Sequence, residues 1–539
     1  MKSVSGFLIF LLALAACGGD APGQSSSCQS QAECTDPAHP YCFAQTCVEC
    51  DVDQACPADR PACDNETHTC GVCAGAVDCA RFDDQGVCAP DGRCVDCASN
   101  LDCGVDVPRC EVAAGECSGC RSEDECARFA DRPHCDARGR CVTCRDSADC
   151  PASAPICNTD TAQCGQCAKH DDCVSGICDL DGGTCIADGD VLHVKKGATG
   201  TSCTRGDPCA GVAQAYTKVA GSRKYIRVHA GTYDGASLSG KDFVLVGPGA
   251  VIRARPQTTV LALAQLGSVT VEGVELRGGR ASAGDGGHGI EFCGSGTLTI
   301  RDARVVDNVS GVVTTCGSLI VRDSTLQENR LTAMEVSAAP GAEVTVERST
   351  VSTNGDGIRV TRGGGKVTMS RSRIGGGFVG IDCADVSCHL VNNVFVGVGA
   401  GSSGFITNAV ELSGGYPDQI EHNTIVDNKG PGILCKDGAA ASTFRNNIVA
   451  RNIVKAGESQ VQGGACSHRY SLIWPGPLPT GDGNLSVEPK FQTDGFHLAP
   501  GSPGIKAAAP AGTVNADIDG EHRPSSGADI GADEVVTAP

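Results

Sequence analysis

Positive charge is in short supply in this chain. Its 539 residues carry 64 acidic against 43 basic side chains, a formal charge of −21. That balance excludes nucleic acid as a natural partner. Lysine is absent between Asp20 and Lys169, so this arm should be a solvated acidic stalk. Aromatic residues make up only 4%, and helical periodicity is almost missing. Apolar residues alternate with period two, which excludes helical repeats and predicts short strands.

Glycine and cysteine are abundant, with 71 and 37 residues. So much cysteine implies an oxidising compartment. The N-terminus agrees: Met1-Lys2 is a basic start, Phe7 to Ala16 an apolar run, and residues 1–16 read as a signal peptide. The motif Leu14-Ala15-Ala16-Cys17 resembles a bacterial lipobox, which implies acylation of Cys17. Gly18 after that cysteine implies outer-membrane sorting by the same resemblance. Residues 17–27 are then a flexible polar tether, and the chain is expected in the cell envelope, anchored to the outer membrane by lipid and surface-exposed.

Between Cys28 and Cys185 the cysteines form seven groups of four with a period of about 23 residues. The first gap in each group is always five residues, and a two-residue gap joins each group to the next. Each unit has few large apolar residues, so disulfide staples rather than burial must hold it. Setting Cys17 aside leaves 36 cysteines, an even number. Zinc and redox readings of the C-x-x-C joints are disfavoured, because the pattern is uniform over seven units and lacks a βαβ context. The spacing Cys-x-Asp-x-x-x-Cys-x-x-Cys at Cys135 to Cys144 resembles the Dickkopf N-terminal cysteine-rich module and EGF-like knots. Residues 28–187 are assigned to this stalk, with the connectivity inside each group left open.

From residue 188 onward a ladder takes over. Gly289-Ile290, Gly311-Val312, Ala333-Met334, Gly357-Ile358, Gly380-Ile381, Ala409-Val410 and Gly432-Ile433 open successive rungs, at steps of 22, 22, 24, 23, 29 and 23 residues. Three short strands per rung predict an all-β fold, a parallel β-helix over residues 188–539. Third-strand positions are Val305, Leu326, Val351, Ile374, Ile425 and Ile448. Asn308, Asn329, Asn354, Asn428 and Asn452 close those strands and should stack as a structural column. Residues Ala210 to Val219 read as one short helix covering the first coil. Tyr225-Ile-Arg-Val-His-Ala-Gly-Thr-Tyr233 and Phe243-Val-Leu-Val-Gly247 resemble the entry of pectate-lyase-like right-handed β-helix proteins. The tail from Tyr470 to Glu534 resembles that of the β-helix proteins called choice-of-anchor Q.

Chemistry is less legible. Pairs Cys203–Cys209, Cys293–Cys316, Cys383–Cys388 and Cys435–Cys466 fit disulfides by position. Asp517, Asp519, Asp529 and Asp533 are candidate Ca2+ ligands, with turn formation the favoured role; an EF-hand is excluded because Ser526 stands where its Glu is needed. The resemblance implies carboxylates and an Arg or Lys on an outer strand face. Arg301-Asp302, Arg322-Asp323 and Glu347-Arg348 are the nearest candidates, and their alternating charge equally stabilises neighbouring strands. The reading favours a lipid-anchored protein that displays a β-helix to polysaccharide or a cell-surface protein. The alternative is a tethered polysaccharide lyase, epimerase or glycoside hydrolase.

Overall fold

The computed structural model describes residues 27–535 apart from 256–257, 281–285, 338–339, 354, 362–364, 400–406, 415, 437–441, 465 and 511–513. The signal peptide, Cys17, nearly all of the tether and Asn354 lie outside these residues. Two compact units result, one up to Cys167 and one from Ala168 onward. Residues 168–187, the bulk of the seventh cysteine group, therefore pack with the solenoid. Among the described residues no helix is long and apolar enough to cross a membrane.

In the first unit each cysteine group is a two-stranded antiparallel hairpin with a short turn before it. First pairs with third and second with fourth, as in Cys50–Cys63 and Cys56–Cys70. The bonds also distinguish two kinds of group. Those starting at Cys50, Cys97 and Cys144 span 13 and 14 residues, and those at Cys73 and Cys120 span 15 and 15. The true repeat is therefore a pair of groups.

Arginine joins the pair. Arg128 stacks over Phe129 at 4.3 Å and donates to the carbonyls of Cys103 and Pro108, at 2.7 and 3.0 Å, in the preceding group. Arg81 makes the equivalent stack on Phe82 and donates to Cys56 and Pro61. Replacing Arg128 by Ala unpairs two carbonyls and is expected to lower that pair's stability by about 2 kcal/mol. Thermal unfolding of the variant checks it.

From Val191 on, the described residues of the second unit form one continuous sheet of 29 parallel-stacked strands wound into three faces. Glycine or an αL residue at each corner lets the chain turn, and β-branched residues fill the strands between. In the first face, Leu261, Ile290, Val312, Met334, Ile358, Ile381, Val410 and Ile433 stand in one inward row. All are buried in a single core running the length of the solenoid. The helix Val212–Thr217 packs Val212, Ala215 and Tyr216 onto that core, with the Tyr216 ring edge-on to Phe243 at 5.4 Å.

One third-strand position differs from the sequence reading. Ile425 pairs with Val449, which enters the core, while Ile448 pairs with Thr424 and packs outward under Leu498 and Ile530 of the tail. The tail covers this outer face, so an apolar residue there is as buried as one inside.

The asparagine column exists where it is described. Asn308 accepts from the Gly279 amide at 2.8 Å, Asn329 from Asn308 at 3.2 Å, and Asn452 from Asn428 at 3.1 Å. A second, longer ladder lies between the second and third faces. The backbone amides of Ala303, Ser324, Ser349, Ser372, Asn393, Asn423 and Asn447 each donate to the side chain one coil on, at 2.9 to 3.2 Å. Just before each rung sits an αL residue: Asp302, Asp323, Arg348, Arg371, Asn392, His422, Asn446 and Tyr470. Such a conformation is costly for most of these types, and the ladder's hydrogen bonds hold it coil after coil.

Candidate functional site

The arginine and aspartate pairs fall on two neighbouring columns. Register places Glu272, Arg301, Arg322 and Glu347 side by side at the end of the second face. Arg301 is held by Asp181 of the seventh cysteine group at 2.8 Å, and Arg322 by Glu347 at 3.3 Å. One position further, Asp302, Asp323 and Arg348 occupy the αL corner, with Arg348 gripping Asp323 at 2.7 and 2.8 Å. Burial, then the charges of Glu272 and Asp323, push the Asp302 carboxyl above its ordinary range. These contacts are cross-strand ion pairs of the kind that steady a sheet.

Three of the four tail aspartates are engaged with the backbone. Asp517 accepts from the amides of Asp519, Gly520, Glu521 and Glu534 at 2.8 to 3.0 Å. Asp529 accepts from Lys506 and Val535, and Asp533 from Leu498. Asp519 instead reaches His497 at 2.7 Å. Cys203–Cys209, Cys293–Cys316, Cys383–Cys388 and Cys435–Cys466 are disulfides, with Cα separations of 4.7 to 6.5 Å.

A different constellation occupies the outside of the first face. Strands Asp356–Thr361, Val379–Ala384 and Asn408–Ser413 place Arg359, Asp382 and Glu411 side by side in three consecutive coils. Arg359 pairs with Asp356 and lies 3.8 Å from Asp382. Lys436, in the next coil, pairs with Glu411. Asn408 donates to Glu411 at 2.8 Å, yet among the described residues its own side-chain oxygen has no partner, although the residue is only 2% exposed. Burial is the largest influence raising the carboxyls of Asp356 and Asp382 above their ordinary range, and the Glu411 charge adds to both. Three carboxylates face two cations, so the patch retains net negative charge.

Sequence reasoning missed this cluster because Arg359, Asp382, Glu411 and Lys436 follow one another at 23 to 29 residues, one per coil. One signal was available. The single long step, 29 residues from Gly380 to Ala409, marks an insertion in the sequence between Asp382 and Glu411. Insertions in a solenoid collect on the functional side.

Residues 288–467 match the family described as the right handed beta helix region. The charged cluster lies wholly inside this right-handed β-helix region. Residues 90–191 match a family of unknown function, DUF8331. Among solved structures, the chain resembles pectate lyase Pel9A at 15% identity and a TM-score of 0.45, covering 64% of this chain and 96% of that one. It also resembles AlyGC, an alginate lyase of the PL6 family, at 11% identity and a TM-score of 0.26, covering 54% of each. No curated protein matches the chain.

The β-helix region offers donors that suit a hard divalent cation. The carboxylates of Asp356, Asp382 and Glu411 and the Asn408 oxygen are oxygen ligands of the kind Ca2+ takes, with Asp356 and Glu411 held by Arg359 and Lys436 until a cation displaces them. The tail aspartates fit less well, since Asp517 and Asp529 already accept backbone hydrogen bonds on both oxygens.

Proposed function

We propose that the chain is a lipid-anchored envelope protein whose right-handed β-helix binds polysaccharide on the outside of its first face. Acylation at Cys17 would hold it at the outer membrane, and six cysteine groups separate that anchor from the solenoid along the chain. The observation that carries the reading is the cluster of Asp356, Arg359, Asp382, Asn408, Glu411 and Lys436.

A sugar hydroxyl both donates and accepts, so a patch that mixes carboxylates, a guanidinium, an ammonium and a free amide oxygen suits a row of hydroxyls. A protein partner would call for buried aromatic anchors. Within these coils the outward row is Arg359, Asp382, Glu411 and Leu434, with no ring among them. Binding is preferred to cleavage because both cations are engaged by carboxylates of the chain itself. Ca2+, when bound, would supply positive charge toward an acidic sugar.

The test is a screen of the full chain against polysaccharides, with Ca2+ or with chelator, recording binding and unsaturated-product absorbance together. Binding without product is expected. Lys436→Gln should weaken it at least tenfold, because Glu411 is left without its counter-ion. Accumulating product would instead make the chain a lyase, and no binding to any polysaccharide would end the proposal.

A further inference from the structure

Among the described cysteines Cys293 alone is exposed. Its bridge to Cys316 joins neighbouring coils where the first face gives way to the second, inside the long strands His288–Arg301 and Ser310–Arg322. Elsewhere in the solenoid Cys203, Cys209, Cys383, Cys388 and Cys435 are all buried. The register of the two strands shifts on either side of the Cys293 pair, so this bridge sits in a break of the ladder.

Glycine explains why nothing covers it. A Cβ on Gly294 would stand 2.3 Å from the carbonyl oxygen of Leu266, and one on Gly317, at φ 74°, would stand 2.5 Å from that of Gly296. The coils approach too closely here for a side chain, and the glycines this demands leave the corner bare. A groove of about 760 Å3 opens beside the sulfurs. Its lining, which includes Gln265, Ser295, Ser318 and Gly341, is small and carries no charge.

Thr315 adds a chemical asymmetry. Its Oγ1 lies 3.6 Å from Sγ of Cys316. A disulfide sulfur has no proton to give, so the hydroxyl is the donor. Negative charge developing on Cys316 would meet that hydroxyl, which makes Cys316 the better leaving group and exposed Cys293 the sulfur open to attack.

We propose that the Cys293–Cys316 bridge is a thiol-exchange site, at which a low-molecular-weight thiol of tripeptide size or smaller is captured as a mixed disulfide on Cys293. The incoming thiolate attacks Sγ of Cys293 and forms the new S–S bond while the bond to Cys316 breaks. The bonding pair leaves on Cys316, whose Sγ takes up a proton equivalent to the one the incoming thiol lost. One disulfide replaces another, so no further oxidant or reductant is consumed. The step reverses when Cys316 attacks the adduct and releases the thiol. Exposed disulfides exchange readily and sheltered ones resist, so this bridge reacts ahead of the others in the chain. The capture is a reversible modification, and it stands independently of glycan binding on the first face.

The test incubates the full chain in mild detergent with reduced glutathione at pH 8, traps free thiols by alkylation and maps both marks by mass spectrometry. Glutathione should appear on Cys293, with the alkyl group on Cys316, at least tenfold faster than at any other cysteine pair. Thr315→Val removes an exposed hydroxyl and should slow the exchange about threefold or more with an unchanged melting temperature. Adduct forming first at another pair, or evenly over all pairs, would overturn the proposal. Adduct on Cys316 with the alkyl group on Cys293, or an unchanged rate in Thr315→Val, would overturn the assignment of attacked and leaving sulfur.

Discussion

Between pH 7 and pH 5 the solenoid is expected to lose about 4 kcal/mol of stability through two histidines. His468 is 1% exposed, stacks on Phe444 at 4.8 Å inside the coils, and among the described residues has no hydrogen-bond partner on either ring nitrogen. Burial lowers it to about 4. His422 lies beneath the tail, where burial and then the charge of Arg523 lower it to about 3. Both rings are neutral when folded and gain a proton more readily when unfolded. Their contribution is therefore complete above the unfolded value near 6.5 and falls as the pH drops toward the folded value, by about 1.4 kcal/mol per unit for each ring.

Buried carboxylates raised by burial, such as Asp382 and Asp418, work in the opposite sense. They gain stability on acidification and so offset part of the loss at the histidines. Denaturant midpoints at pH 7 and pH 5 check the effect. His468→Leu keeps an apolar group against Phe444 and should remove about half of the pH dependence. An unchanged slope in that variant would contradict the assignment.

Asn423→Ala is expected to cost about 3 to 5 kcal/mol. This fully buried side chain donates to the carbonyls of Leu390 and Glu421 and to Asn447, at 2.8 to 3.0 Å, and accepts from the amide and side chain of Asn393 at 3.0 Å. Removing it strands backbone groups of two coils away from water, and each stranded group costs about 1 to 3 kcal/mol. Serine occupies the same column at Ser349 and Ser372, where its hydroxyl accepts the preceding coil's amide. Asn423→Ser should therefore recover part of the loss. Thermal melts of the two variants decide it, and equal melting temperatures would mean the ladder carries little of the solenoid's stability.

The fold was legible because a solenoid repeats its grammar. Each Gly-Ile or Ala-Val opening fixes an inward position, and seven of them in line fix the register. What one column shows plainly, another hides. Asn308, Asn329, Asn428 and Asn452 share one residue type and were readable, while the second ladder switches from Ser372 to Asn393 and back to Ser471, so no single letter marks it. The pairing of cysteine groups was present in the spacing, 13 and 14 residues against 15 and 15, but the constant five-residue first gap masked it.

The first-face cluster was the least legible feature. Asp356, Asp382 and Glu411 become neighbours only when coils stack, and nothing local to any of them signals chemistry. The seventh cysteine group carried a readable sign in Ile177 and Ile186, apolar residues that its own disulfides do not require. Their burial against Val191, Val246 and Tyr225 of the solenoid explains them.

Hydrogen exchange of the full chain, with and without bound polysaccharide, tests the central claim most directly. Glycan seated on the first face should slow exchange in 356–361, 379–384 and 408–413 together, because these three strands carry the charged row. Protection confined to other parts of the solenoid, with these strands unchanged, would contradict it.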